Sequence, residues 1–334
     1  MRIAVIGSGA IGGLVGGYLK LKGEDVILIA RAQVQGVINS SGLKISGVRG
    51  EYKIEIRVEK KLNFAPDLTI IATKTQDVEK ALKGNLKFIK DSIVLTAQNG
   101  VAADDIVAKF VPQEKIVSSI VMFGSTNLEP GKIIHNFEGS WIIGSISSEC
   151  KVDLTALAAV LGKAFPVAAS GNIRGMKYLK IFVNANNCIS AILGVSMQEA
   201  FSDIEVSRIS INIWREGLEV VAKAGINLVS LPDFPVDRLT KLTGIPSSEA
   251  AKIYSGIMAQ LSKEPLYGSI LQSIKRGKTS EIDYINGEFV RIAKSYAVSS
   301  SLNEKLVSMV HEVEKTGKFF TKEELINSTK QFIK

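Results

Sequence analysis

The sequence predicts an α/β unit built on a parallel sheet, followed by a mainly α-helical unit. Four continuous apolar runs, Ile3 to Ile6, Val26 to Ala30, Leu68 to Ala72 and Ile93 to Ala97, alternate with helical patterns in the first half. Unbroken apolar strands suit a parallel sheet covered on both faces. From about Gly171 the texture changes to long helical patterns punctuated by Gly225, Pro232, Pro235, Gly244-Ile245-Pro246 and Pro265. At 334 residues the chain also exceeds the size at which one core keeps growing, so two domains are expected, 1–170 and 171–334. The cleft between two such domains is a common place for a ligand site.

The first run passes straight into Gly7-Ser8-Gly9-Ala10-Ile11-Gly12. That G-x-G-x-x-G, placed after a strand and at a helix start, is the context in which the motif signals a Rossmann-type dinucleotide-binding domain. The first glycine allows the tight turn, the second lets a pyrophosphate approach the backbone, and the third permits close helix packing. Unpaired N–H groups and the positive dipole end of the helix then face the phosphates. A glycine-rich turn of purely structural purpose would look similar. Met1-Arg2 and the apolar run to Leu19 superficially resemble a secretory leader. The glycines, with Gly23 ending the helix and a second strand beginning soon after, favour the nucleotide fold.

After the second strand, Ile29-Ala30 is followed by Arg31, where an NAD enzyme would usually carry Asp or Glu for the ribose hydroxyls. An arginine there favours the 2′-phosphate of NADPH, or is a solvated strand-end charge. Leu43 to Ile45 and Tyr52 to Val58 alternate around Gly47 and Gly50 and read as a hairpin insertion. Past the third strand, Lys74 offers either a second cation near the phosphate or an ordinary surface lysine. Val117 to Met122, Ile133 to Phe137 and Trp141 to Ile143 then read as antiparallel strands finishing the domain.

In the second domain, residues 176–187 read as a helix with Lys180, Asn184 and Asn187 at i, i+4 and i+7. One face thus carries a cation and two amides amid apolar residues. Such a face meets a polar ligand, water or another polar surface, because polar groups cost free energy when buried unpaired.

Composition narrows the function. Apolar residues make up 46% and charged residues 22%, the balance of a soluble globular protein. The net charge of +8 is compatible with anionic small molecules. Its lysines are scattered, with no long basic run and no aromatic-rich RNA-binding signature, which argues against nucleic acid as partner. Two cysteines, Cys150 and Cys188, and two histidines, His135 and His311, are too few and too far apart in sequence for a zinc site of the usual kind. They suggest no disulfide framework either, which fits a reducing cytoplasm. No run of 18 apolar residues indicates a membrane span.

Over essentially its whole length the chain resembles the ketopantoate reductase (2-dehydropantoate 2-reductase) family. The resemblance rests on Gly7 to Gly12, Gln98-Asn99-Gly100, Lys180 with Val183-Asn184, and Ser269-Ile270-Leu271-Gln272 leading to Glu281-Ile282-Asp283-Tyr284-Ile285-Asn286-Gly287. It implies NADPH-dependent reduction of 2-dehydropantoate to D-pantoate, a step towards pantothenate and coenzyme A, leaving NADP+. It also implies a role for each matching residue. Lys180 resembles the catalytic lysine, and Asn99 the asparagine beside nicotinamide and substrate. Ser269 resembles the serine that binds the substrate carboxylate. Glu281 resembles the glutamate that binds the substrate hydroxyl, contributes beside the cofactor and places the lysine, and Asn184 the first helix asparagine.

The second helix asparagine usually stands eight after the lysine, where this chain has Cys188, so either Asn187 or Cys188 takes that position. A further family asparagine falls near Met197-Gln198, and its contact is absent or made by the Gln198 amide. Glu281 near Lys180 is expected to keep the lysine charged against burial. Two alternatives stay open: a reductase of another 2-oxo acid, and a non-catalytic NADP(H)-binding regulator. The apolar helical second domain could offer a homodimer surface, or only an internal core.

Overall fold

The computed structural model describes residues 1–262 and 264–333. They form two compact units, Met1–Arg174 and Gly175–Lys334.

The first unit opens as the apolar runs require. Strand β1 (Arg2–Ile6), helix α1 (Ala10–Leu21) and strand β2 (Asp25–Ile29) follow one another, with Gly23 at φ +87° turning the chain out of the helix. Helix α2 (Ala32–Ser41) leads to β3 (Leu43–Gly47), β4 (Tyr52–Ile54) and β5 (Arg57–Glu59). Then come β6 (Leu68–Ile71), α3 (Val78–Lys83), α4 (Leu86–Ile89), β7 (Ile93–Thr96) and α5 (Ala102–Val107). Strands β8 (Ile116–Val121), β9 (Gly124–Glu129), β10 (Lys132–Phe137) and β11 (Trp141–Ser145) precede α6 (Leu154–Leu161) and β12 (Val167–Ser170).

The main sheet has the order β12-β11-β8-β7-β6-β1-β2-β5, and β1, β2, β5, β6, β7 and β8 run parallel through it. Ile3, Val5, Leu28, Ile70 and Leu95 pack on one face, and Ala4, Ile6, Ile27, Ile71 and Val94 on the other. Strands buried on both sides have no room for a polar alternation, which is why their sequences are apolar throughout.

Two expectations need correction. Residues 43–58 do not form one hairpin. Strands β3 and β4 pair antiparallel, but the chain then leaves them and β5 adds parallel to β2 in the main sheet. Nor do residues 117–143 form one antiparallel set. Strand β8 continues the parallel sheet beside β7 and pairs antiparallel only with β11, while β10 crosses to a four-stranded sheet of order β4-β3-β10-β9. That second sheet covers α1: Ile133 and Ile45 would sit within about 3 Å of a Cβ on Gly13 and Gly17, so these glycines let helix and sheet approach closely.

The second unit is helical: α7 (Ile173–Ala185), whose first residues belong to the first unit, α8 (Asn187–Leu193), α9 (Met197–Phe201), α10 (Ile204–Lys223), α11 (Val236–Gly244) and α12 (Ser247–Ala259). Helices α13 (Ser269–Lys275), α14 (Asn286–Ser295), α15 (Ser301–Thr316) and α16 (Lys322–Thr329) complete it. The long α10 is its centre. Gly217 on α10 gives room to the rings of Phe182 and Phe289, 4.8 Å apart, and Trp214 packs edge-on to Tyr254 of α12. Glu216 accepts from the backbone N–H groups of Leu302 and Asn303, satisfying the exposed donors at the start of α15. Among the described residues no helix is long and apolar enough to cross a membrane.

Candidate active site

In the first unit the sequence motif becomes a turn whose glycines have different physical reasons. Gly7 has φ +106°, and a Cβ there would lie 2.7 Å from the backbone of Ala72 and Thr73. A Cβ on Gly12 would lie 1.8 Å from the Gly7 carbonyl oxygen. Protein packing therefore demands both. Gly9 is different: its φ of −75° suits any residue, and a Cβ there meets no protein atom within 4 Å. Protein packing therefore does not require glycine at this position, and the backbone there is open to approach. Helix α1 begins here with no acidic residue in its first turn and no side-chain cap, leaving Ala10 and Ile11 to present N–H groups. Ser8 is buried in the same turn.

Three loops converge at the carboxyl ends of β1, β6 and β7. This is the point where the order of parallel strands reverses, the usual crevice for ligands in such sheets. The Gly7 turn abuts Ala72 and Thr73, and the Gln98 amide donates to the carbonyls of Ile71 and Thr73 at 2.8 and 2.9 Å. Those bonds hold Asn99, partly exposed, beside the segment that carries Lys74. Thr73 Oγ1 and Gln98 Oε1 are buried here without a hydrogen-bond partner, which fits a crevice that takes up a polar ligand. Sequence reasoning did not single out Thr73, and treated Gln98 only as a neighbour of Asn99. Arg31 lies at the end of β2, 83% exposed, its guanidinium 3.4 Å from the Asp77 carboxylate.

Helix α7 buries Ile173, Lys177, Leu179, Ile181 and Phe182 and leaves a line of accessible positions along one side: Lys180, Val183, Asn184 and, past its end, Asn187. The expected single helix over 176–187 is interrupted at Asn186. The Phe182 carbonyl accepts from the Trp214 indole at 2.8 Å, and the buried Asn186 amide donates to the Tyr254 hydroxyl at 3.0 Å. The break keeps Asn187 on the accessible side and turns Cys188 fully inward. Burial pushes the Cys188 thiol up to about 12, so it stays protonated and inert.

Asn187 lies against Gly268, where a Cβ would come within 3.0 Å of its side chain. Gly268 caps α13, whose first residue is the exposed Ser269, so the structure brings Asn187 and the Ser269 segment together. Gln198 is committed elsewhere. Its amide donates to the carbonyls of Ser262 and Glu264 and accepts from the Leu266 N–H, which fixes the strand of chain leading to Ser269. Glu281, partly exposed, heads a 3-10 turn, Ile282–Tyr284, that leads into α14.

The Lys180 ammonium is pushed down to about 8, first by burial and second by the charge of Lys177. Burial and the neighbouring cation lower it, yet at about 8 the lysine is still mostly an ammonium at neutral pH. Lys177, whose side chain is almost fully buried, was missed in the sequence. Its signal was present, since Ile173, Lys177 and Ile181 stand at i, i+4 and i+8 and both isoleucines are buried.

Residues 3–148 match the family described as ketopantoate reductase PanE/ApbA, and residues 172–314 the family described as ketopantoate reductase PanE/ApbA C terminal. The chain is 31% identical to 2-dehydropantoate 2-reductase of Pyrococcus abyssi, over 93% of this chain and 97% of that protein. It is 30% identical to the protein of the same name from Pyrococcus horikoshii, over 95% and 99%. Among solved structures it is similar to D-mandelate dehydrogenase with NADH and anilino(oxo)acetate, with TM-score 0.81 and 28% identity over 95% of this chain and 99% of that one. It is also similar to a PanE/ApbA family ketopantoate reductase from Ralstonia eutropha JMP134, with TM-score 0.80 and 25% identity over 94% and 99%.

Proposed function

We propose that this chain, which belongs to the ketopantoate reductase PanE/ApbA family, is an oxidoreductase that reduces 2-dehydropantoate to D-pantoate with NADPH. The relatives named 2-dehydropantoate 2-reductase support the reaction, and the neighbours solved with NADH support a nicotinamide dinucleotide as cofactor. The preference for NADPH rests on Arg31, a cation at the end of β2 where an acidic residue would favour NADH.

The observation that carries the reading is Lys180: a partly exposed cation in line with two amides on the accessible side of a mostly buried helix, with its ammonium brought down to about 8. A proton donor works best when its pKa lies near the operating pH. When bound, the reduced nicotinamide supplies the hydride. As the substrate carbonyl gains negative charge, the Lys180 ammonium stabilises the oxygen and passes it a proton. Ser269 takes the substrate carboxylate. Asn184, Asn187 and Glu281 orient the rest of the substrate, with Asn187 rather than Cys188 as the second amide. Gly7, Ser8, Gly9, Ala10, Ile11 and Gly12 take the pyrophosphate, Arg31 and Lys74 the outer phosphate, and Asn99 lies beside the nicotinamide.

A second reading, reduction of another 2-oxo acid, is favoured by two observations. D-mandelate dehydrogenase is among the similar structures, and the Gln198 amide is fully occupied by the chain itself. NADPH oxidation measured across 2-dehydropantoate, benzoylformate and branched 2-oxo acids decides between them. The first reading expects the highest kcat/KM on 2-dehydropantoate; a higher value on benzoylformate would establish the second.

A further inference from the structure

The short segment that carries Glu281 is tied to α15 at both ends, by Glu314 at one and His311 at the other, and the two partners touch each other. Ser280 donates its backbone N–H to Glu314 Oε1 at 2.7 Å, and the other oxygen of Glu314 lies 3.2 Å from His311 Nδ1. His311 Nε2 lies 2.9 Å from Asp283 Oδ1. Glu281 sits between the two attachment points. Both ring nitrogens therefore face carboxylate oxygens, and only the imidazolium can donate to both. A neutral ring must turn a lone pair towards one of them.

We propose that His311 is a positioning residue for Glu281, its imidazolium clamping residues 280–283 to α15 and its loss of a proton loosening them. The inference rests on the reading of Glu281 as a site residue. Burial pulls the His311 pKa down, but the hydrogen bonds to Asp283 and Glu314 outweigh it and the net shift is upward from 6.5. The sign follows: a raised folded pKa means the clamp is complete at low pH and is lost as pH rises through that value.

Of the other charged groups packed around α15, Arg291, Lys294 and Glu304 line the same surface depression as Asp283, each held in an ion pair. On α14, Arg291 pairs with Glu288, and Lys294 with Glu304; Glu216 of α10 caps the start of α15. Lys322 of α16 pairs with Asp203, Glu324 caps its own helix, and α8 carries no charged residue. Tyr284, on the turn itself, has its phenol pushed up by burial and by Asp283 and Glu281, and stays neutral in this range.

The test compares the full-length wild type with His311→Gln and, should that variant fold poorly, Asp283→Ala, which removes one arm at an exposed position. Amide hydrogen exchange of residues 280–284 is followed from pH 5.5 to 8.5, together with steady-state kinetics. The expected result is protection that falls with rising pH in the wild type and is low throughout in the variants. KM for the 2-oxo acid should rise about tenfold while kcat and the NADPH KM change less than about twofold. Unchanged protection overturns the clamp, and lost protection with unchanged KM overturns its role in placing Glu281. Absence of turnover by the wild type on every 2-oxo acid would count against the catalytic reading alone, since exchange still reports on the clamp.

Discussion

Lys177 stands one helical turn before Lys180 on α7, buried while its partner is accessible, and its charge adds to burial in bringing the Lys180 ammonium down to about 8. A catalytic acid that must be protonated is lost as pH rises through its pKa. With 2-dehydropantoate, kcat/KM should therefore be flat near neutrality and fall above about pH 8. Lys177→Met, which keeps volume and removes the charge, should move that fall to higher pH. A pH profile of both proteins checks this; coincident profiles would remove Lys177 from the account.

The glycine turn separates packing from ligand binding. Gly12→Ala forces a Cβ onto the Gly7 carbonyl and should cost about 2–3 kcal/mol of stability. Gly9→Ala meets no protein atom and should leave stability within about 0.5 kcal/mol while weakening NADPH binding at least about tenfold. Thermal unfolding and cofactor titration of the two variants distinguish the roles.

Arg31 is exposed and shared with Asp77. Arg31→Asp should raise the NADPH KM about tenfold, the loss of one hydrogen bond to a charged group, and leave the NADH KM equal or lower. Asp77→Asn should tighten NADPH by releasing the guanidinium. Equal preference in all three proteins would make the arginine a bystander.

Asn187 and Cys188 give a matched pair. Asn187→Ala should raise the KM for the 2-oxo acid about tenfold. Cys188→Ala should leave that KM unchanged and cost about 1 kcal/mol through the small space it opens in the core. Thiol reagents should modify Cys150 and spare Cys188 in the folded protein, because only Cys150 is accessible.

Local features of this fold were legible in the sequence, and long-range ones were not. The strands at Ile3, Val26, Leu68 and Ile93 and the turn at Gly7 follow from contiguous residues, and the structure has them within a residue or so. The departure of β5 from its hairpin and the pairing of β10 with β3 depend on partners roughly 30 to 90 positions away, which no window of residues encodes. The line of Lys180, Asn184 and Asn187 was visible as a helical face. The break at Asn186 that keeps Asn187 accessible was not, because it is set by Trp214 and Tyr254 on other helices.

Single-turnover oxidation of bound NADPH by 2-dehydropantoate, in wild type and Lys180→Met, tests the central claim most directly. The hydride-transfer rate should fall on the order of 10²- to 10⁴-fold in the variant, with NADPH affinity unchanged. Because the folded pKa of Lys180 is depressed, burying its charge costs stability at neutral pH, a cost that fades as pH rises above about 8. Discounted for partial exposure, its removal should stabilise by about 1 kcal/mol, so Tm at pH 7 should not drop. A variant that transfers hydride at the wild-type rate would contradict Lys180 as proton donor.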